Sequence, residues 1–351
     1  MLPFLRPDLE QLPTYHHEEI EQTSNQVKLD ANELSIDLPP WFKQNLADQV
    51  KNQIAANRYP DGAYLPLKQA IASYVGNQIQ PDQISVGNGS DELIRSLLII
   101  SSLGRSKILV ANPTFSMYGI LAQGLGIEVV TVPRTEDFSL DLQAANRVIN
   151  QVSAVFMVHP NSPTGNLLSP AEIAWLAAIP LNILVVIDEA YFEFSGHSLA
   201  KHLAKHPNWV ILRTFSKAFR LAAYRIGYAI AHTEVITQLE KIRLPYNLPI
   251  ISYQAALLAL QHNQELLQPI AQIQAERENL HQALKQLNIE VYPSSGNYLY
   301  LRTGQDQKIK QAMASQGTYI RQTGGGLRIT IGTPKENALI LEQLKNILEI
   351  N

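Results

Sequence analysis

Short apolar runs alternate with helix-capable stretches through the middle of this 351-residue chain. Lys107-Ile108-Leu109-Val110, Ala154-Val155-Phe156-Met157-Val158, Ile183-Leu184-Val185-Val186-Ile187 and Val210-Ile211-Leu212 are β-branched and almost continuously apolar. Strands of that kind are buried on both faces, so the pattern predicts an α/β fold with a mostly parallel sheet covered by helices. Upstream, Trp41 to Ala56 and Leu65 to Val75 have helical character, and residues up to about Pro40 read as a polar, proline-punctuated arm. After Leu244-Pro245 the pattern changes. Ile250 to Leu287 is helical with a break at Pro269. Strands are expected at Tyr298–Leu301, Thr318–Arg321 and Leu327–Ile331, and a last helix from Pro334. These features predict an arm (1–45) joining a smaller α+β domain (246–351), with a large domain (46–245) between them.

Composition narrows the chemistry. A hydrophobic content of 46%, a charged content of 17% and a net charge of -3 are those of an ordinary soluble protein, with no electrostatic reason to expect nucleic acid or an anionic membrane as partner. No cysteine is present, which removes disulfides, thiolate nucleophiles and thiolate metal sites together. The nine histidines show no metal-ligand spacing, so no metal is expected. Prolines and Arg6 interrupt the start of the chain before a signal-like apolar core accumulates, and no run is long enough to span a bilayer. A cytoplasmic location is the expectation.

The chemistry-bearing residues fall where apolar runs end. Lys217, in Ser216-Lys217-Ala218-Phe219, follows the run ending at Thr214 and would stand at the carboxyl edge of the sheet, where open α/β folds bind ligands. Alone it reads more readily as a surface lysine in a loop, and the context reverses that. Asp188 closes another apolar run, either as a capping carboxylate or as the anion for a pyridinium nitrogen. Asn161, in His159-Pro160-Asn161-Ser162-Pro163-Thr164-Gly165, sits in a stiff turn after a third run and could donate to a ring oxygen, or simply belong to the turn. Gly87-Asn88-Gly89-Ser90-Asp91-Glu92 opens a helix, either as an N-cap or, with Ser90, Asp91, Ser216 and Arg225, as a phosphate cup. Phe115 is a core residue or a ring stacked on a flat ligand, Tyr191 could reach a ring oxygen, and Tyr59 a phosphate. An amine, an anion, phosphate donors and a packing face are what pyridoxal phosphate requires of a protein.

The order Gly-Ser-Asp-Glu, Asn-Pro-Thr-Phe, Pro-Asn-Ser-Pro-Thr-Gly, Asp-Glu-Ala-Tyr, Ser-Lys-Ala-Phe and Arg-Ile-Gly-Tyr resembles the fold-type-I aminotransferases, over nearly the whole chain. Leu29-Asp30-Ala31-Asn32-Glu33, Arg58-Tyr59-Pro60-Asp61 and Gly326-Leu327-Arg328-Ile329-Thr330 are similar to the histidinol-phosphate branch. The resemblance implies a homodimer with shared active sites that uses pyridoxal 5'-phosphate to move an amino group between L-histidinol phosphate and 2-oxoglutarate in a ping-pong reaction of histidine biosynthesis. An aromatic or broad-specificity aminotransferase, a decarboxylase of a phosphorylated amino acid, and a non-catalytic module on the same fold are the alternatives. It implies Lys217 as the catalytic amine, Asp188 on the pyridine nitrogen, Asn161 and Tyr191 on the phenolic oxygen, and Phe115 against the ring. Ser90, Asp91, Ser216 and Arg225 would hold the phosphate, with Tyr59 from the second subunit. Arg328 would grip the substrate α-carboxylate, with Arg321 and Asn32 on the substrate side; Arg321 reads equally as a surface strand arginine. Three stretches depart from the family pattern and bear on substrate choice: Leu34-Ser35, Arg220 with Tyr224, and the short Gln322–Gly326 connection.

Overall fold

The computed structural model describes residues 2, 4, 6–12, 26–104 and 106–349; the part of the predicted arm at 13–25 lies outside the described residues. Along the chain the strands are β1 (Val27–Leu29), β2 (Ile84–Asn88), β3 (Lys107–Asn112), β4 (Val129–Pro133), β5 (Val152–Val158), β6 (Leu184–Asp188), β7 (Trp209–Thr214) and β8 (Ile226–Ala231), then β9 (Glu290–Tyr292), β10 (Tyr298–Arg302), β11 (Thr318–Thr323) and β12 (Gly326–Thr330). The large sheet has seven strands in the order β2-β8-β7-β6-β5-β3-β4. Only β8 runs against its neighbours, so the carboxyl ends of the other six share one edge. The predicted runs end on that edge because each is an apolar strand buried from both sides. Ile187, Ile211 and Met157 face one packed layer, and Val186, Val210 and Phe156 face the other.

The smaller sheet has the order β1-β11-β12-β10-β9. The arm contributes β1, parallel to β11 with Val27 opposite Thr318, and places buried Leu29 in the small core with Ile329 and Leu344. Leu38, Phe42 and Leu46 pack in the core of the large sheet, as do Ala255, Ala256, Ala259 and Leu260 of the helix Ile250–Gln261. That helix is apolar nearly all round and so is buried between layers rather than lying on a surface. The small core gathers after Pro269, which opens the helix Pro269–Gln286 at its first turn. By packing, the helix Ile250–Gln261 goes with the core of the large sheet, and the arm meets the small core through β1 and the residues next to it.

Candidate active site

A cavity at the common strand edge is lined by Ser90, Asp91, Phe115, Tyr118, Ser162, Asp188, Tyr191, Thr214, Ser216, Lys217 and Arg225, among others. Each strand end supplies a part. β7 delivers Lys217, whose Nζ donates to the Ala31 carbonyl at 2.7 Å. β6 ends on Asp188, 3% exposed, whose Oδ1 accepts from the Ala190 amide at 3.0 Å and whose Oδ2 accepts from the Tyr118 hydroxyl at 2.7 Å. Burial pushes the Asp188 carboxyl up to about 6, against the pull of those two donors, with the charges of Asp91 and Glu189 adding to the rise. Such a group, in a low-dielectric site, gains from a cationic partner across the cavity.

The end of β2 turns at Gly89 (φ +74°) into the helix Gly89–Ser101. Arg225, itself left-handed at φ 52°, closes the turn: its carbonyl accepts from the Gly89 amide at 2.9 Å. A Cβ at Gly89 would collide with the Arg225 guanidinium, so only glycine lets that cation lie against the helix start. The guanidinium reaches Asp91 at 3.2 Å and the Ser216 hydroxyl at 3.4 Å. Helix-terminal N–H groups, two hydroxyls and a guanidinium make a cradle suited to a phosphate. With a buried carboxylate and a lysine in the same cavity, the donor set fits pyridoxal phosphate.

Tyr191, 7% exposed, accepts from the Asn32 amide at 2.9 Å and packs edge-on against Tyr298. Asn32, Ala31 and Asp30 form a strap over the cavity. Besides the contacts to Tyr191 and Lys217, the Asp30 carbonyl accepts from Arg328 Nη2, and the Asn32 carbonyl accepts from the Asn297 amide at 3.0 Å. Arg328 Nη1 also donates to the Ser162 hydroxyl at 3.0 Å, and its buried Nε has no partner among the described residues. Arg321 stands directly across the ladder from Arg328, with no hydrogen bond or ion pair among the described residues. Two like charges facing each other on neighbouring strands are unfavourable unless an anion joins them.

Asn161, Tyr59 and Arg220 do not line the cavity of this chain. The Asn161 side chain is turned away from the cavity. Its Nδ2 donates to the Pro113 carbonyl and the Thr164 hydroxyl, and its Oδ1 accepts from Thr114 and from Arg134 Nη2. It ties the ends of β3 and β5 together, and the next residue, Ser162, lines the cavity in its place. Tyr59 is 80% exposed, stacked on Tyr246 at 4.6 Å, and absent from the lining of its own chain's cavity. Arg220 serves the frame. It donates to the carbonyls of Asp37 and Leu266, and neither it nor Tyr224 lines the cavity.

Sequence reasoning missed Tyr118, Thr214 and Ser162 as lining residues. Tyr118 had a signal, since it stands one helical turn beyond Phe115 and their rings meet edge to face at 5.5 Å.

Residues 24–344 match the family model of class I and II aminotransferases. The chain is 53% identical to a histidinol-phosphate aminotransferase of Synechococcus sp. (strain JA-2-3B'a(2-13)), covering 99% of each chain. It is 51% identical to that of Trichodesmium erythraeum, covering 99% of this chain and 100% of the relative. Among solved structures, histidinol-phosphate aminotransferase from Sinorhizobium meliloti in complex with pyridoxal-5'-phosphate superposes with a TM-score of 0.89 at 24% identity, covering 99% of this chain and 98% of that one. An L-threonine-O-3-phosphate decarboxylase from Porphyromonas gingivalis also superposes, with a TM-score of 0.80 at 23% identity, covering 92% of this chain and 99% of that one. At such identities these two establish the fold alone. With the strand-edge cavity and the match along nearly its whole length, the chain belongs to the class I and II aminotransferases.

Proposed function

We propose that the chain is a pyridoxal-phosphate-dependent aminotransferase that exchanges the amino group between L-histidinol phosphate and 2-oxoglutarate, as the names of its half-identical, full-length relatives suggest. The observation that carries the substrate reading is the facing pair Arg321 and Arg328, with no carboxylate partner among the described residues. Each amino donor would bring an anion to that pair: two carboxylates in glutamate, and a single phosphate in histidinol phosphate.

Bound pyridoxal phosphate supplies an electron sink and carries the amino group between the two halves of the reaction. Lys217 holds the cofactor aldehyde and afterwards moves the proton at the substrate's α-carbon. Asp188 provides the negative charge facing the ring nitrogen, and Tyr191 with Ser162 faces the ring edge beside Lys217. Ser90, Asp91, Ser216 and Arg225 bind the phosphate, while Phe115 covers the ring. Arg328 orients an α-carboxylate through two parallel donors, exchanging its neutral oxygen acceptors for a charged one. Arg321 takes the distal anion, and Asn32 holds Tyr191 in place. Tyr59, remote from its own cavity and exposed, completes the phosphate cup of a second subunit, which makes the working unit a homodimer. Such an enzyme would work in the cytoplasm.

The test is the visible spectrum of the purified protein reconstituted with pyridoxal phosphate, before and after histidinol phosphate is added without a keto acid. Bleaching of the lysine-linked band, and its return on adding 2-oxoglutarate, is expected. A band that histidinol phosphate leaves untouched, while an aromatic amino acid bleaches it, would overturn the substrate reading. Release of carbon dioxide would turn it toward the decarboxylases.

A further inference from the structure

The two donors on Asp188 have different standing. The Ala190 amide belongs to the turn that follows β6 and would be there for any carboxylate. The Tyr118 hydroxyl is brought from elsewhere, by the helix Met117–Gly124 after β3. Its ring is completely buried, edge-on to Phe115 and 5.1 Å from Phe156. A tyrosine in such apolar surroundings needs an acceptor for its O–H, and the structure gives it one, the carboxylate oxygen Oδ2. Burial and the neighbouring Asp188 charge raise the Tyr118 hydroxyl well above its usual range, so it remains a proton donor throughout the working pH range. No other side chain donates to Asp188 among the hydrogen bonds of the described residues. Asp91 and Glu189 act on it only as like charges.

We propose that Tyr118 is a positioning residue for the transfer, its hydroxyl keeping Asp188 ionised and so keeping the proton on the ring nitrogen of the bound cofactor. The inference rests on the cofactor reading above. A proton shared between a carboxylate and a pyridine nitrogen lies on the more basic partner. Every donor to the carboxylate lowers its basicity and moves the balance toward the nitrogen. The hydroxyl fixes Oδ2, the Ala190 amide fixes Oδ1, and the remaining lone pairs are aimed by these two anchors. The segment that follows β3 therefore carries both Phe115, the ring that would pack on the cofactor, and, in the first turn of the helix Met117–Gly124, Tyr118, the group that sets its charge.

Tyr118→Phe removes the hydroxyl and keeps the aromatic packing. The readout is the nitrogen-15 chemical shift of the ring nitrogen in protein loaded with labelled pyridoxal phosphate, which depends on the protonation of that atom and not on turnover. The variant should move the shift toward the unprotonated value, by a change in proton affinity of about one pH unit, and lower kcat about tenfold with little change in KM. Replacing Tyr118 by a ring-fluorinated tyrosine, a stronger donor of the same shape, should move the shift the other way. It serves as the second arm if the phenylalanine variant does not fold. An unchanged nitrogen-15 shift in a folded variant overturns the proposal, whatever happens to the rate. If the wild-type protein forms the lysine-linked chromophore with a protonated ring but ignores histidinol phosphate, the substrate reading fails and this one stands. If no chromophore forms, both fall.

Discussion

The two sides of the cavity are built on opposite electrostatic plans. On the floor, at the edge of the large sheet, the polar groups are tied to one another: Arg225 lies against Asp91, and Asp188 holds the Tyr118 hydroxyl and the Ala190 amide. On the neighbouring wall, outside the lining itself, β11 and β12 carry cations left with neutral oxygen acceptors or none among the described residues, Arg328 reaching the lining residue Ser162. The floor can wait for one resident molecule with its charges fixed. The wall keeps its positive charge available for anions that come and go, because a carbonyl or hydroxyl does not neutralise a guanidinium.

The contrast can be broken at its strongest point first. Lys217→Ala should leave the fold intact, since among the described residues the side chain's amine donates only to the Ala31 carbonyl, while turnover falls by about four orders of magnitude. Stopped-flow assays of each half-reaction measure this, and residual activity within tenfold of wild type would remove Lys217 from the mechanism. The second test concerns the floor's waiting state. Asp188 has a folded-state pKa of about 6 against an ordinary 3.8, so the cofactor-free protein binds this proton more tightly than the unfolded chain does. Its contribution to stability is therefore best below about pH 4, is lost as the pH rises through about 6, and above that stands as a cost of about 3 kcal/mol. Asp188→Asn removes the charge, so the cofactor-free variant should be more stable than wild type at pH 8 and nearly equal at pH 4. Urea unfolding at the two pH values gives the comparison, and equal midpoints at pH 8 would contradict it. The smallest effect belongs to the wall. Arg328→Ala should raise KM for glutamate about thirtyfold, the loss of one charge-assisted contact, with the cofactor's absorption and affinity unchanged. A matching loss of cofactor affinity would mean that floor and wall are not separate.

The same division decides what could be read from the sequence. The floor was legible because each of its groups directly follows an apolar run: Asp188 after Ile187, Ser216 and Lys217 after Thr214, Phe115 just beyond β3. A parallel sheet aligns such ends without further information. The orientation of Asn161 was less legible for a related reason. Within a tight turn neighbouring side chains point in different directions, and spacing cannot tell which of Asn161 and Ser162 faces inward. Hydrogen bonding orients Asn161, through Thr164 of the same turn and through Arg134 and Thr114, which come from other segments. The packing of the helix Ile250–Gln261 was likewise hidden, because the sequence records that it is apolar but not which core takes it in.

The pairing of β1 with β11 also has a consequence in time. Protein synthesis delivers Val27 long before Thr318, and the strap that touches Lys217, Tyr191 and Arg328 follows directly on β1. The large sheet is complete once β8 has left the ribosome, but the strap has no sheet to join until β11 emerges. A growing chain can thus own a finished floor without an assembled active site, and the catalytic cavity closes only after β11 has been made.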